Sequence, residues 1–427
     1  MVRDPVRGVS AAYGRGMPCS PSSPAFWRSP LRGPWFTSVL GVVLLVGITV
    51  LFVTGLVSYA AYNPDLSPVN DQTPDKGLLG FYLFSWPTDP SWLYRLTQGV
   101  HVTLGIVLIP VLLAKLWSVV PKLFALPPAR SLAHALERLS LLLLVGGGLF
   151  EFTTGVLNVQ LDYIFPGSFY PLHFYGAWVF FAAFLAHAVL KTPLALRNLR
   201  HLRDEHPREK GELVSPNPAE PTVSRRGALG VVGGGSLLLL GTTAGRSFDG
   251  PLRETAVLAP HGGPEPGGGP GGFQINKTAA YAGISPTETG EEAWRLVVTG
   301  RAGRSIRLAR PQLLQLALHS SALPIACVEG WSTSDQWWRG VRLRDLAALV
   351  GDDDPVDVLV ESLQRHGAFR RAALRANQVA DPRSLLALFV NGEDLTPDHG
   401  YPARVIVPAA PGVLNTKWVA RMTFGDL

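Results

Sequence analysis

The sequence predicts a multidomain protein: an all-α transmembrane four-helix bundle with a fifth anchor helix, followed by an α+β domain. Three observations carry that prediction. Five stretches, 36–60, 96–120, 139–161, 172–190 and 227–244, are apolar over roughly the 20 residues that a bilayer-spanning helix needs. Basic residues gather in alternate loops between them. Beyond residue 272 the apolar runs shorten and alternate with turn residues, the pattern of strands. In chain order, 1–33 form a cytoplasmic tail, 34–195 the four-helix membrane domain and 196–226 a basic cytoplasmic linker. The fifth helix spans 227–245, a Gly/Pro-rich linker 246–272, and the exported domain 273–427.

Charge fixes the orientation. The net charge of +6 would suit a nucleic-acid partner, but its distribution does not. Arg3, Arg7, Arg15, Arg28 and Arg32 precede the first helix, and further basic residues crowd 122–138 and 191–226. The intervening loops, 62–94 and 162–171, hold acids and few bases. Positive charge marks the cytoplasmic side, so the N-terminus is cytoplasmic and the C-terminal half extracytoplasmic. The partner that this basicity implies is the lipid bilayer of the cell (inner) membrane, crossed several times, and nucleic acid is excluded. The first span is too long and too far from the N-terminus to be a cleaved signal.

The fifth helix is glycine-rich, weakly apolar and preceded by TVSRRGALG. Arg225 and Arg226 after Ser224 resemble a twin-arginine export signal inside the chain, with Ala228 where that pattern usually has a larger apolar residue. A plain basic flank is the alternative. The export machinery is then a partner, because a domain that folds around a cofactor in the cytoplasm must cross already folded; the helix is expected to remain as an anchor. The stretch HGGPEPGGGPGG that follows cannot bury a core and reads as a tether.

Ionisable groups inside the spans demand a function. His101 opens helix two, His173 opens helix four, and His187 lies deeper in helix four, while Lys115 and Glu151 also fall within spans. Thr54-Gly55 and Thr154-Gly155 form a faint internal repeat near the outer ends of helices one and three, at the depth of His101 and His173. Two imidazoles on facing helices can ligate one iron, and two glycines leave room for a flat macrocycle. This arrangement resembles cytochrome b-type membrane subunits that exchange electrons with quinones. The resemblance implies haem b at His101 and His173 and the membrane quinone pool as a partner. His187 is the candidate for a second haem; its expected helix-two counterpart is Lys115, for which His134 would have to substitute. Otherwise His134 and His187 are interfacial.

In the exported domain, 294–300, 356–363 and 403–408 read as strands, 341–351 as a helix, and 303–318 as extended and then helical. Cys327 is one of two cysteines in 427 residues; the other, Cys19, lies in the polar tail with no evident reason to pair. A lone cysteine is usually a small buried hydrophobe. The segment ALPIACVEGWS, with Trp337, Trp338 and Gly340 beyond it, instead suits a rigid loop presenting a thiolate to a soft or redox-active metal.

The ordered motifs FQINKT, WRLVVTG, CVEGWS, WWRGVRLRDL, VESL, NGEDLTPDHGYPARVIVP and GVLNTKWV resemble the catalytic domain of the sulfite oxidase family of molybdopterin enzymes, over all of 273–427. The resemblance implies a sulfite oxidase-type molybdopterin-binding fold with Mo-molybdopterin as cofactor. It implies that Cys327 ligates molybdenum and is the catalytic residue. Asn276 would touch the pterin, and Ser362 would face the cofactor. His399 and Arg404 would bind pterin and phosphate, and Asn415, Thr416 and Lys417 would form a phosphate-binding segment. Arginine forks and lysine point charges are natural phosphate partners.

Such a centre moves an oxygen atom and two electrons to or from a small substrate. Sulfite oxidases tend to place an arginine close after the ligand cysteine; here Val328, Glu329, Gly330 and Trp331 follow, with Arg339 and Arg342 further off. CVEGWS is more similar to the bacterial branch that includes periplasmic methionine-sulfoxide reductases, so S-oxide or N-oxide reduction is favoured. Sulfite dehydrogenase-type oxidation and a cofactor-free extracellular binding module on a membrane anchor are the alternatives. Glu329 is either a group orienting the site or a strand-edge carboxylate.

Overall fold

A computed structural model of the chain describes residues 21, 26–66, 84–124, 131–159, 169–200, 218–248, 250–259, 269–365 and 370–427. Cys19 and most of the tether expected around 261–272 lie outside them, as does the side chain of His134. Six long helices are described: α1 (Pro34–Ala60), α2 (Leu93–Val107), α3 (Ile109–Leu123), α4 (Leu132–Val159), α5 (Phe169–Arg200) and α6 (Arg225–Thr243). Among the described residues four helices are long and apolar enough to cross a membrane, and α2 with α3 makes a fifth such length if the pair is one span. Large apolar side chains such as Val46, Leu142, Leu190, Val231 and Leu237 are exposed on them.

The second span was expected as one helix starting near residue 96. Instead it begins at Leu93 and breaks at Leu108 with a bend of 41°. Pro110 explains the break, because it has no N–H to give to the carbonyl one turn earlier and its ring crowds that carbonyl. The earlier start also places His101 well inside α2 rather than at its opening.

Contacts divide the chain into two compact units. The first comprises Met1–Val46, Pro110–Gly146 and Ala182–Gly235. Within it Lys115 donates through Nζ to the Thr37 carbonyl at 2.7 Å, and Arg32 lies over the rings of Trp27 and Trp117. Lys115 is therefore a tie between α1 and α3. His187 also belongs to this unit.

The second unit comprises Gly47–Ile109, Gly147–Phe181 and Ser236–Leu427. Its C-terminal part is α+β, as expected. One five-stranded sheet has the order β2 (Ser305–Leu308), β1 (Leu296–Thr299), β10 (Val419–Gly425), β5 (Asp357–Ser362), β6 (Arg371–Leu374), with β1 and β10 parallel and the other neighbours antiparallel. The other runs β3 (His319–Leu323), β4 (Gln336–Arg342), β7 (Leu385–Val390), β8 (Glu393–Asp394), with β9 (Arg404–Ile406) paired to β7. The three expected strands are β1, β5 and β9, and the expected helix is Leu343–Leu349. Trp294, Val298, Leu346, Val358, Leu386 and Phe424 belong to one buried cluster that includes residues of both sheets. β7, LLALFV, is buried at five of its six positions, which is why it reads as a continuous apolar run rather than an alternation.

Residues 246–248 and 250–259 depart from the expected Gly/Pro-rich linker. Arg246, Arg253 and Ala256 are buried, and the segment forms short turns against the α+β domain. Composition misled here, because backbone and side-chain ties to the Cys327 loop, Ser332 N to Arg246 O and Arg253 Nη2 to Ser332 O, hold the segment in place without an apolar run.

Candidate functional site: a cysteine loop, a cationic cluster and a histidine pair

Cys327 lies in the loop between β3 and β4 and is 1% exposed. The loop is pinned from its own ends. Cys327 N donates to Trp331 O at 2.8 Å, Thr333 N to Ile325 O at 2.9 Å, and Gly412 N to Ala326 O at 2.7 Å. Gly330 takes φ +86°, a conformation that strains any residue with a side chain. The Cys327 thiol donates to the Glu329 carboxylate. Burial first, and the charge of Glu329 second, push the thiol well above its ordinary value. The environment of this sulfur therefore favours the thiol over the thiolate. Glu329, left open between two roles by the sequence, is the group that accepts the hydrogen bond of this thiol.

Around the loop, helical and α+β residues share one buried cluster. Tyr62, Trp86 and Tyr94 pack with Ala326, Cys327, Val328 and Trp331, and Tyr170 packs against them. Tyr62 and Tyr94 join hydroxyl to hydroxyl at 3.0 Å.

A second group of residues comes from DHGYPAR and NTKW. Arg404 is 4% exposed; it donates to His399 O at 3.1 Å and Asn415 O at 3.2 Å, lies over the Trp338 ring, and leaves Nε unbonded. Lys417 Nζ donates to Asp398 O at 2.9 Å and to Lys277 O. Asn415 Oδ1 accepts from Val407 N, while its Nδ2 and the Thr416 hydroxyl have no partner. Ser362 Oγ donates to the Lys417 carbonyl at 2.8 Å, so it holds the NTKW segment in place. His399 stacks on Phe273 at 3.8 Å, with Nε2 against Gly271 O at 2.9 Å. Gly400 (φ +108°) lets these residues meet: a methyl there would lie 3.0 Å from Lys417 Cβ and 3.1 Å from Arg404 Cβ. Asn276 is exposed; two positions earlier, Gln274 is buried with both amide atoms unbonded.

The electrostatics of this group are one-sided. Burial lowers Arg404 to about 9 and His399 to about 4, and it drives Lys417 well below its usual range, with the Arg404 charge adding to the last. The Cys327 sulfur acts electrostatically on Lys417. Arg404 Nε, Asn415 Nδ2 and the Thr416 hydroxyl, buried and without partners, fit an anionic polar cofactor bearing phosphate. Among the described residues no group of three or more His, Cys, Asp or Glu converges as a metal cage. The remaining metal ligands would have to come from the cofactor.

A stability prediction follows from His399. Its folded value of about 4 lies below the ordinary 6.5, so between those limits the unfolded chain binds more protons than the folded one. Cofactor-free protein is expected to lose up to about 3 kcal/mol as pH falls from 6.5 to 4, and His399→Gln to flatten that slope. Denaturant midpoints at pH 7 and pH 4.5 measure it; equal slopes in the two proteins would refute the assignment.

The two membrane-type histidines also meet. The rings of His101 and His173 have centroids 6.3 Å apart and planes at 89°. The Thr-Gly repeat positions them. Thr54 Oγ1 lies 3.2 Å from His101 Nδ1 and Thr154 Oγ1 lies 3.4 Å from His173 Nδ1, while each hydroxyl bonds back to its own helix. Leu51 O at 2.9 Å and Glu151 Oε2 at 2.9 Å complete the two Nδ1 environments. A Cβ on Gly55 would come within 3.1 Å of the His101 ring. The pair lines a cavity of about 220 Å³ that Tyr62, Tyr170 and Val328, the residue after Cys327, also line.

Residues 282–426 match the model of the oxidoreductase molybdopterin binding domain. The chain is 30% identical to the uncharacterized oxidoreductase YuiH of Bacillus subtilis (strain 168), over 31% of this chain and 65% of that protein. It is 31% identical to mitochondrial sulfite oxidase of Mus musculus, over 30% of this chain and 29% of the relative. It is 30% identical to the protein-methionine-sulfoxide reductase catalytic subunit MsrP of Gluconobacter oxydans (strain 621H), over 31% of this chain and 47% of the relative. The chain thus spans less than two thirds of the length of each of these relatives. Cys327 in its pinned loop and the cationic cluster all lie inside the matched segment. The C-terminal domain of this chain belongs to the sulfite oxidase-type family of molybdopterin-binding oxidoreductases.

Proposed function

We propose that the chain is a membrane-anchored molybdopterin-dependent oxidoreductase whose extracytoplasmic centre at Cys327 reduces a small S-oxide or N-oxide, with electrons drawn from quinone through haem b held by His101 and His173. The observation that carries this reading is the single cavity that reaches both imidazoles and the neighbour of Cys327. The distance between the rings supports shared ligation. The two rings, 6.3 Å apart between centres, would hold the iron between them. Both Nδ1 atoms are engaged, which leaves Nε2 as the ligating atom on each ring.

Molybdenum–molybdopterin would supply two-electron oxygen-atom transfer when bound. Arg404, Lys417, Asn415 and Thr416 would hold its anionic part, with Cys327 as the protein's ligand. Reduction of an S-oxide consumes two electrons and two protons and releases a sulfide and water. The protons need donors at the site: Glu329 sits on the ligand sulfur, and the bonded pair Tyr62 and Tyr94 is buried beside it. CVEGWS and the 30% identity to MsrP favour the reductive direction. The apolar exposed helices support an inner-membrane location, and the twin-arginine-like Ser224-Arg225-Arg226 at the start of α6 supports export of a folded domain.

Reduced-minus-oxidised spectra of purified protein test the electron branch. Wild type is expected to show b-type bands, and His101→Leu or His173→Leu to remove them almost completely; unchanged bands in either variant would refute the ligand pair. Elemental analysis and a screen for S-oxides and N-oxides that reoxidise dithionite-reduced membranes test the catalytic branch. Protein without molybdenum would leave only the binding-module alternative.

A further inference from the structure

One buried side chain is explained neither by the fold nor by the cofactor-binding residues. Arg246, in the turn after α6, is 0% exposed, and Nε, Nη1 and Nη2 all lack hydrogen-bond partners. A guanidinium carries five N–H donors, and burying it without acceptors is strongly unfavourable. Such a group calls for an acceptor that binds there.

Its position says where that acceptor belongs. A methyl on Gly330 would come within 2.9 Å of Arg246 Nη2 and 2.7 Å of Val102 Cβ, so the glycine lets the Cys327 loop close against the guanidinium. The backbone holds the same contact: Ser332 N donates to Arg246 O at 3.4 Å and Ser247 Oγ to Gly330 O at 2.8 Å. The acid whose charge acts on Arg246 is Glu329, yet it makes no hydrogen bond to the guanidinium and accepts the Cys327 thiol instead.

We propose that Arg246 binds the oxygen of the substrate at the Cys327 centre, so that a residue outside the 282–426 domain completes the substrate site. The ligand class is a small molecule with a negatively charged or strongly polarised oxygen, either a tetrahedral oxyanion or a neutral S-oxide. A planar, weakly hydrated fork is the cation best suited to hold such an oxygen away from water. The arginine that the sequence lacks next to Cys327 is thereby supplied from the helical half of the chain. This rests on the reading of Cys327 as the metal-bearing centre.

Calorimetric binding of inorganic sulfate and of dimethyl sulfoxide to the purified full-length holoprotein tests it, with molybdenum content measured in parallel. At least one ligand is expected to bind wild type, with affinity reduced at least tenfold in Arg246→Gln and less in Arg246→Lys. Sulfate binding alone identifies an oxyanion site, and dimethyl sulfoxide binding alone an S-oxide site. Unchanged affinity in both variants, or binding of neither ligand to molybdenum-loaded wild type, overturns the proposal. Should Arg246→Gln fail to fold, Arg246→Lys decides: a threefold or greater loss supports the site and no loss overturns it. Protein without molybdenum that still binds sulfate through Arg246 would refute the proposed function and leave the oxygen-binding site standing.

Discussion

Cys327→Ser is expected to lower turnover at least about 10³-fold, the scale on which loss of a central catalytic group registers. The substitution isolates one atom. Serine is close to cysteine in volume, and its hydroxyl can still donate to Glu329, so the buried cluster with Tyr62, Tyr94 and Trp331 should persist. The stability cost should stay near about 1 kcal/mol, the worth of one hydrogen bond. What changes is the donor: a hard alcohol that keeps its proton replaces a soft sulfur that a metal can deprotonate. The haem bands proposed for His101 and His173 should be unaffected. Molybdenum content should stay within about twofold of wild type, because charge-assisted contacts from Arg404 and Lys417 would hold the cofactor. Retained turnover would refute Cys327 as the ligand.

Arg404→Met should behave in the opposite way, losing cofactor rather than chemistry. Arg404 is buried over Trp338 with no opposite charge hydrogen-bonded to it. In the cofactor-free protein, methionine removes a desolvated charge but strands two carbonyls, and these effects oppose each other to within about 1–2 kcal/mol. With the anion bound, the same substitution deletes charge-assisted hydrogen bonds worth about 1.5–3 kcal/mol, so cofactor retention should fall at least about tenfold. Molybdenum per protein after gel filtration, alongside unfolding midpoints of the cofactor-free forms, measures both halves. Full retention would show that Arg404 does not touch the cofactor. A large loss of stability with no change in retention would make it purely structural.

Much of this was legible in the sequence because it depends on periodicity and on ordered motifs. β1, β5 and β9 fell where alternating apolar runs placed them, and Cys327, His399, Arg404 and Lys417 stood out as residue types that the resemblance gave a role. The repeat Thr54-Gly55 and Thr154-Gly155 was legible as a pattern, and each threonine lies beside one histidine, Thr54 by His101 and Thr154 by His173. What stayed hidden depends on contacts between segments far apart in the chain. Nothing near Arg246 in sequence announces that its guanidinium faces a glycine at position 330. Gln274 could not be distinguished from Asn276 as the buried amide, because two amides two positions apart carry the same signal until a strand or turn decides which points inward. The break at Leu108 was readable from Pro110 but was absorbed into a hydropathy window.

The fastening of the Cys327 loop has an evolutionary corollary. Gln98 Nε2 donates to Val328 O, Ser247 Oγ to Gly330 O and Arg253 Nη2 to Ser332 O, so the grip falls on the carbonyls of every second residue. Carbonyls are the same whatever side chain stands above them. The side chain at 328 can therefore change without loosening the loop from the residues that grip its carbonyls. The grasping side has no such freedom, since Gln98, Ser247 and Arg253 each act through a side chain. Diversification within this lineage should accordingly be lopsided, with a variable catalytic lip on an invariant handle.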